Sequence, residues 1–534
     1  MTEQTVIAEE LAKQLRAVSV AEFFEKNRHL LGYENPTKAL ITIVKEFTDN
    51  ALDAAEEARI LPDIKVVVKE VAPDRFKVRV EDNGPGIVEE KLPLAFGKLL
   101  YGSKFHRLKM SRGTQGLGAS GGILYAQLTT GRPAKIISST GKEIHEIELM
   151  IDVSKNEPKI ISHKEEKNPN KWHGIKIEVE AEGRYIEGKQ SILEYLKQTA
   201  MSNPYAKIVY DGPNGKVEFE RAVKELPPLP KEIKPHPYGV EIGLLRRMLE
   251  ITNARNLIGF LTGDFSRVGR SSALQICKLA KLDCNKKPNE LTHGEIELLH
   301  KAMQMVKLIG PPTDCLSPLG EKLLEEGLKK ETKAEFVVAV TRSPTVYRGN
   351  PFLVEVCLGF GGELPQDQTA QLFRFANKVP LLYHAGDCAT TEAVIETDWR
   401  RYGFSQSSGQ LPQGQLAILI HFASVWVPYT SEGKQAIASY PEIVKEIKLA
   451  LQEAGRKLAT YVRHKNIERE RALRQNLFER YLPEVSAALS EISETPRNSI
   501  EINLKKILNK GKVIESVKEE GIEDGEENRN ESEE

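Results

Sequence analysis

The sequence predicts an α+β protein of more than one domain, on three observations. Helix-like and strand-like stretches alternate through the first third. A proline-rich break near residue 227 then leads into a segment with almost no strand signal, and strands return ahead of one long helical stretch. At 534 residues the chain also exceeds a single typical core, so roughly two to four domains are expected.

Taken in order, TKALITIVKEFTDNALDAAEEAR (37–59) carries apolar positions at helical spacing, with Thr37 as the expected N-cap. After Pro62, IKVVVKEV and RFKVRVED alternate as strands, split by Ala72-Pro73-Asp74. A glycine-punctuated stretch runs from Gly84 to Gly122, followed by the strand-like AKIISST, HEIELMI and GIKIEVE. Helices beside a largely antiparallel sheet account for this pattern. LPPLPKEIKPHP marks a linker, and residues 238 to 308 read as short helices. The clearest of these, ELTHGEIELLHKAMQMV, opens with Thr292 and Glu295 in capping-box relation. AEFVVAVT, NPFLVEVCLGF and QLAILIHFASVWV read as strands, and a helical stretch extends from near Tyr440 to about Ile492. The terminal KEEGIEDGEENRNESEE is acidic and free of aromatics, the composition of a disordered tail.

The 75 basic and 76 acidic residues leave a net charge of −1. That excludes a protein coated in basic charge and leaves a local basic face open. The five cysteines (277, 284, 315, 357 and 388) form no C-x-x-C pair. The expectation is therefore free thiols in a reducing compartment and no zinc site. MTEQTVIAEELAKQL lacks the apolar core of a signal peptide, and no apolar run is long enough to cross a bilayer. A cytoplasmic protein without a membrane partner is expected.

Three clusters carry chemistry. Glu46, Asn50 and Asp53 in KEFTDNALDA fall at i, i+4 and i+7, on one helix face. A carboxylate there can orient and deprotonate water, and an amide oxygen can ligate Mg2+. Ala51, Ala54 and Ala55 would let a partner pack closely against this helix. In VEDNGPGI a strand ends at Asp82, where a carboxylate could accept a hydrogen bond from an exocyclic amine such as adenine N6; Gly84 and Gly86 allow close backbone approach. An ordinary Asn-Gly turn would give the same residues. In GTQGLGASGG two fingerprints overlap: Gly113, Gly116 and Gly118 give G-x-x-G-x-G, while Gly116, Gly118 and Gly121 give the dinucleotide pattern G-x-G-x-x-G. The dinucleotide reading needs a hydrophobic strand directly before the loop, and HRLKMSR is polar and basic. Glu143, near the offset of a ribose-binding acid, keeps that reading in view. No Gly-Lys pair is followed by Ser or Thr, so no Walker A loop is present.

The order of these clusters resembles the GHKL ATPase superfamily, whose members include gyrase-type topoisomerases, Hsp90 chaperones, MutL proteins and histidine kinases. Within it, EFTDNALDA, VEDNGPGI and FGKLLYGSKFHRLKMSRGTQGLG are similar to the B subunits of the topoisomerase VI family. The resemblance implies a Bergerat-type α/β sandwich at 1–227 with an N-terminal strap, then a helix–two-turns–helix module at 228–310. A βαβ transducer at 311–466 follows, with a C-terminal helical extension at 467–515 and the acidic tail at 516–534. It implies ATP and Mg2+ as cofactors, with Glu46 as general base and Asn50 as metal ligand. Asp53, Asp82, Gly86, Ser103 and Lys104 would contact nucleotide, and the lid would be Gly113, Thr114, Gln115, Gly116, Leu117, Gly118, Ala119 and Ser120. Lys434 of PYTSEGKQAIA would reach the γ-phosphate, with Gln413 near it. The implied partners are double-stranded DNA, a second copy joined through the ATPase domain, and the A subunit, in a heterotetramer of two A and two B. Arg255, Arg267, Arg270, Lys278 and Lys281 offer a phosphate-contacting face in the helical module. Three other readings stay open here: a MutL-like or Hsp90-like ATPase clamp with a different client, an NAD-dependent enzyme, and a non-enzymatic DNA scaffold.

Overall fold

The computed structural model describes residue 12 and residues 17–102, 107–113, 116–366, 368–431, 433–493 and 495–507. Ser103, Lys104, Thr114, Gln115 and the acidic tail lie outside these residues. The chain divides into two units, residues 1–458 and 459–534.

In the first unit, a short helix α1 (Val20–Lys26) precedes the central helix α2 (Pro36–Glu57). The N-cap of α2 is Asn35 rather than Thr37: its side chain accepts from the backbone N–H of Lys38, and Pro36 takes the first helical position. Proline at that position loses no intrahelical bond, so the start moves upstream of the threonine. Strands β1 (Asp63–Ala72) and β2 (Arg75–Glu81) bury alternate residues, as the sequence pattern requires. Next come α3 (Leu92–Gly97), α4 (Gly118–Thr130), β3 (Ala134–Thr140), β4 (Glu143–Asp152), β5 (Glu157–Lys167) and β6 (His173–Glu182). Helix α5 (Ile192–Ser202), β7 (Lys207–Gly212) and β8 (Gly215–Phe219) complete the layer.

The eight strands form one sheet in the order β5-β4-β3-β6-β2-β1-β7-β8. Every pairing is antiparallel except β1 with β7. Helices α2 and α4 cover one face, and their apolar residues join those of the sheet in a single core that includes Leu40, Ile43, Phe47, Val66, Val78 and Ile177. β5, EPKIISHKEEK, gave no strand signal because it is an edge strand whose residues are mostly exposed and charged.

The segment from 238 to 308 is helical: α6 (Ile242–Ile251), α7 (Leu257–Asp264), α8 (Arg270–Ala280) and α9 (His293–Met305) enclose a core of their own around Leu245, Phe260, Ile276 and Leu299. Helix α9 begins with the expected capping box of Thr292 and Glu295. Arg255, Arg267, Arg270, Lys278 and Lys281 are all exposed.

After α10 (Glu321–Thr332) a second sheet forms from β9 (Phe336–Thr341), β10 (Thr345–Tyr347), β11 (Asn350–Phe360), β12 (Gln371–Ala376), β13 (Val379–Pro380) and β14 (Leu416–Ser424). β12 and β14 are parallel neighbours, and α11 (Ala389–Glu396) lies in the connection between them, a βαβ crossover. β14 is buried at every position, which explains its unbroken apolar run. Helix α10 sits tightly on α5: a Cβ on Gly327 would meet the Met201 carbonyl at 2.1 Å. The last helix, α12 (Pro441–Ser493), belongs to the first unit as far as Leu458. In the second unit it continues through Pro483, with Leu477, Phe478, Tyr481 and Val485 exposed, and residues 497–507 form a further helix. Among the described residues, no helix is long and apolar enough to cross a membrane.

Candidate nucleotide site

A cavity of about 650 Å³ opens between α2, the end of β2 and the N-terminus of α4. That volume suits a small-molecule ligand. Glu46, Asn50, Ala51 and Ala54 line it from α2, Asp82, Gly86 and Ile87 from the β2 end, and Gly113, Gly116, Leu117, Gly118, Ala119 and Ser120 from the glycine loop. Lys434 reaches it from the far side. The structure therefore assembles residues more than 380 positions apart around one space.

Each wall has a local cause. Asp82 is 7% exposed, and its Oδ1 accepts from the backbone N–H groups of Gly84 (2.8 Å) and Ile175 (3.2 Å). Burial pushes its carboxyl up to about 6, against the pull of those two donors. Two glycines make this corner possible. Gly86 has φ +72° and a Cβ there would fall 2.0 Å from the Ser139 carbonyl; a Cβ on Gly174 would fall 2.1 Å from that of Asp82.

At the glycine loop, helix α4 starts at Gly118 with no side-chain cap, so its first turn, which lines the cavity at Gly118, Ala119 and Ser120, carries the positive end of the helix dipole. Anions bind well at such a terminus. A Cβ on Gly118 would lie 2.0 Å from Glu46 Oε2, so the third glycine of the loop is what admits the carboxylate. Gly121 and Gly122 serve packing instead, since their missing side chains leave room for Leu31, Tyr33 and Phe47. Asn50 is exposed on the cavity wall, one turn beyond Glu46.

Behind this wall lies a buried ionic network. Arg112, 3% exposed and adjacent to Gly113, donates to Asp53 Oδ1 (2.7 Å), Glu56, Asn203 and Tyr205. Burial would raise the Glu56 carboxyl, but Arg112 and Lys378 outweigh it and hold it below the ordinary range. Lys378 Nζ reaches Glu56 Oε2 at 3.1 Å, and its backbone N–H donates to His421 Nε2 at 3.0 Å. His421 Nδ1 meets Glu355 Oε2 at 2.7 Å inside the second sheet. Lys434 joins the same network: its Nζ donates to the Arg112 carbonyl at 3.1 Å.

Two placements differ from the sequence expectations, those of Asp53 and Gln413. Asp53 does not line the cavity; it is consumed by Arg112. Lys109 and Arg112, the basic residues ahead of the loop, pair with Glu57 and with Asp53 and Glu56 and so are committed to α2. Gln413 pairs with Thr369 and Ser405 in a loop and does not line the cavity. Residues that sequence reasoning missed include Ile175 and Ile177, Phe96 and Tyr101, which build the apolar wall. Asp49 was missed as well. It is buried, takes the Tyr195 hydroxyl at 2.8 Å, and is pushed up to about 6 by burial. Its position inside the TDN triplet was the one available signal.

Residues 35–145 match the family described as histidine kinase-, DNA gyrase B-, and HSP90-like ATPase, and residues 311–474 match the topoisomerase VI B subunit transducer. The chain is 47% identical over 519 residues to the B subunit of type 2 DNA topoisomerase 6 from Methanosarcina acetivorans, spanning 96% of this chain and 83% of that one. The chain belongs to the topoisomerase VI B-subunit family. The B subunit from Archaeoglobus fulgidus is 48% identical over 90% of this chain and 80% of its own. That of Pyrococcus horikoshii is 39% identical over 97% and 99%. As a topoisomerase VI B subunit the chain is the ATP-hydrolysing subunit of a type II DNA topoisomerase, with a GHKL ATPase domain and a transducer. The clamp with another client is thereby not favoured.

Proposed function

We propose that Glu46 is the general base, Asn50 the Mg2+ ligand and Asp82 the adenine reader of this ATPase, and that Lys434 reports the γ-phosphate to the transducer. Both backbone bonds to Asp82 fall on Oδ1, which leaves Oδ2 to accept from an exocyclic amine. The exposed Asn50 amide and the free N–H groups at the start of α4 suit a metal-bound triphosphate. When bound, Mg2+ would neutralise charge developing on the transferred phosphoryl group. Glu46 orients and deprotonates the attacking water, and the lid from Gly113 to Ser120 encloses the phosphates and excludes solvent.

Lys434 Nζ on the Arg112 carbonyl is the observation that carries the coupling. One lysine touches the base of the lid and belongs to the segment just after the second sheet. A γ-phosphate would draw the ammonium from that carbonyl as a point charge, releasing the lid base and shifting the transducer. Closure would join two copies through their ATPase domains, in an assembly with two A subunits, and capture a DNA duplex. The functional divisions are 1–227, 228–310, 311–466 and 467–515, with the exposed basic residues of 228–310 as candidate phosphate contacts.

The decisive experiment is ATP-dependent supercoil relaxation with a purified topoisomerase VI A subunit. Relaxation should require both chains and ATP, and Lys434→Met should bind nucleotide yet lose most of the relaxation. A Lys434→Met protein that hydrolyses ATP and relaxes DNA normally would remove lysine coupling from the reading.

A further inference from the structure

Outside the nucleotide site, two imidazoles and a carboxylate converge at the edge of the first sheet. β4 and β5 pair antiparallel with His145 opposite Glu165 and Ile147 opposite His163. His145 and His163 are therefore diagonal neighbours on one face, and their rings stand 5.7 Å apart at 32°. Glu89, in the turn Glu89–Lys91, brings Oε1 to 3.8 Å from His163 Nδ1. One ligand atom from each of the three lies within 4.8 Å of the others. Ligands of a tetrahedral zinc at about 2.0 Å stand roughly 3.3 Å apart, so small side-chain rotations close the set. The Nδ1 of His145 is buried with no hydrogen-bond partner. A buried ring nitrogen without a partner is costly, and a metal ion would satisfy it.

We propose that Glu89, His145 and His163 form a binding site for a divalent transition-metal ion of the zinc class. Two imidazoles and one carboxylate favour zinc, cobalt or nickel over the hard, oxygen-seeking Mg2+. Glu165, directly across from His145, or a water supplies the fourth position. The cysteine spacing gave no sign of this site because its ligands come from two strands and a distant turn.

The location gives the metal a structural role. Ile87 and Lys91 flank Glu89 and line the nucleotide cavity. Their segment is already fastened at Ile87, whose N–H and carbonyl both bond Ser138 Oγ at 2.9 Å. It is fastened again at Leu99, which exchanges two hydrogen bonds with the Asn156 side chain. A metal at Glu89 ties the middle of that wall to the sheet edge. This consequence rests on the cavity being the ATP site; metal binding itself does not.

The test uses the full-length chain stripped with chelator, then titrated with Zn2+ by calorimetry and with Co2+ by visible absorption, in excess Mg2+. A Cys277→Ser/Cys284→Ser background removes the neighbouring pair of thiols, and the remaining Cys315, Cys357 and Cys388 are buried. One equivalent of Zn2+ should bind, Co2+ should develop the absorption of a low-coordinate nitrogen-ligated ion, and His163→Gln or Glu89→Gln should weaken Zn2+ by at least the roughly 10- to 100-fold that loss of a ligand's hydrogen-bond partner alone produces. Both substitutions are at partly exposed side chains (33% and 53%), so the variants remain folded. Binding that is absent, or unchanged in both variants, overturns the site. Binding of an ATP analogue is measured in parallel. Zn2+ should tighten it in the parent and leave the His163→Gln variant unaffected; a metal that binds without moving nucleotide affinity overturns the wall-fastening role. Loss of nucleotide binding altogether speaks against the ATP site and leaves the metal result standing.

Discussion

Two stripes of the same helix carry the same kinds of side chain and do opposite things. On one side of α2, Glu46, Asn50 and Ala54 face the open cavity. On the adjacent stripe, Asp49, Asp53 and Glu56 are held by Tyr195, Arg112 and Lys378. Residue type does not separate them; the presence of a partner does. A carboxylate facing the cavity can act on a ligand. One closed by a buried guanidinium can only hold the residue before the glycine loop to the helix. Glu46 sits at the boundary, kept on the cavity side by the absence of a Cβ on Gly118.

Substitutions on the two stripes should therefore separate catalysis from stability. Glu46→Gln should reduce ATP turnover by roughly 10²–10⁴-fold, with analogue affinity changed only a few-fold. Turnover near the parent's would place the base elsewhere. Across the boundary, Arg112→Ala leaves Asp53 without its guanidinium and Glu56 with Lys378 as its remaining cation. Breaking a buried pair in this way costs about 3–5 kcal/mol, seen as a fall of about 10 °C in the first calorimetric transition. Asn50→Ala, on the open side, should move that transition by less than about 2 °C. Equal shifts in the two variants would erase the distinction between the stripes.

The comparison also shows what the sequence could say. Seven residues make nearly two helical turns, so Asp53 does share the azimuth of Glu46, as the E-x-x-x-N-x-x-D pattern implied. The remaining rotation of about 20° turns it to the side away from Asn50 and Ala54, where Arg112 meets it. The pattern encoded the face of the helix but not which edge of that face a buried partner would close. Asp82 and the loop glycines were legible because close backbone approach demands glycine wherever the chain folds back. Ile175 and Ile177 were not, because an apolar residue on an alternating strand looks the same whether it faces core or cavity. The helical module and three strands of the second sheet, β9, β11 and β14, were legible from period and apolar runs, whereas β10, β12 and β13 were not, and β5 was hidden by its charges.

A smaller effect is expected at the Asp82 end of the cavity, proposed above to hold adenine. Asp82→Asn exchanges a carboxylate oxygen for a neutral amide while leaving the fold of the corner intact. A charge-assisted hydrogen bond contributes about 1.5–3 kcal/mol, so ATP-analogue affinity should fall by roughly 10- to 100-fold. Affinity for an inosine analogue, which offers no exocyclic amine, should fall much less. Equal losses for both nucleotides would mean that Asp82 supports the corner without reading the base.

The smallest effect is in pH. Asp82 is pushed up to about 6 from an ordinary 3.8 by burial, so in the nucleotide-free protein only about one-tenth is ionised at pH 5. Because the proposed bond to adenine needs the ionised form, ATP-analogue affinity should weaken by about tenfold from pH 7 to pH 5. Taking the difference between parent and Asp82→Asn cancels the titration of the nucleotide's own phosphate. Folding stability moves the other way. A raised folded value means that the folded chain holds more protons than the unfolded one between about 3.8 and about 6. The stabilisation from Asp82 is therefore full below that window and lost as pH rises through it. Asp49, raised to about 6 on the closed stripe, adds the same trend to stability and none to adenine affinity. Asp49→Asn should therefore flatten the stability profile while preserving the pH dependence of binding, and a change in the binding profile would place Asp49 on the open side of the helix.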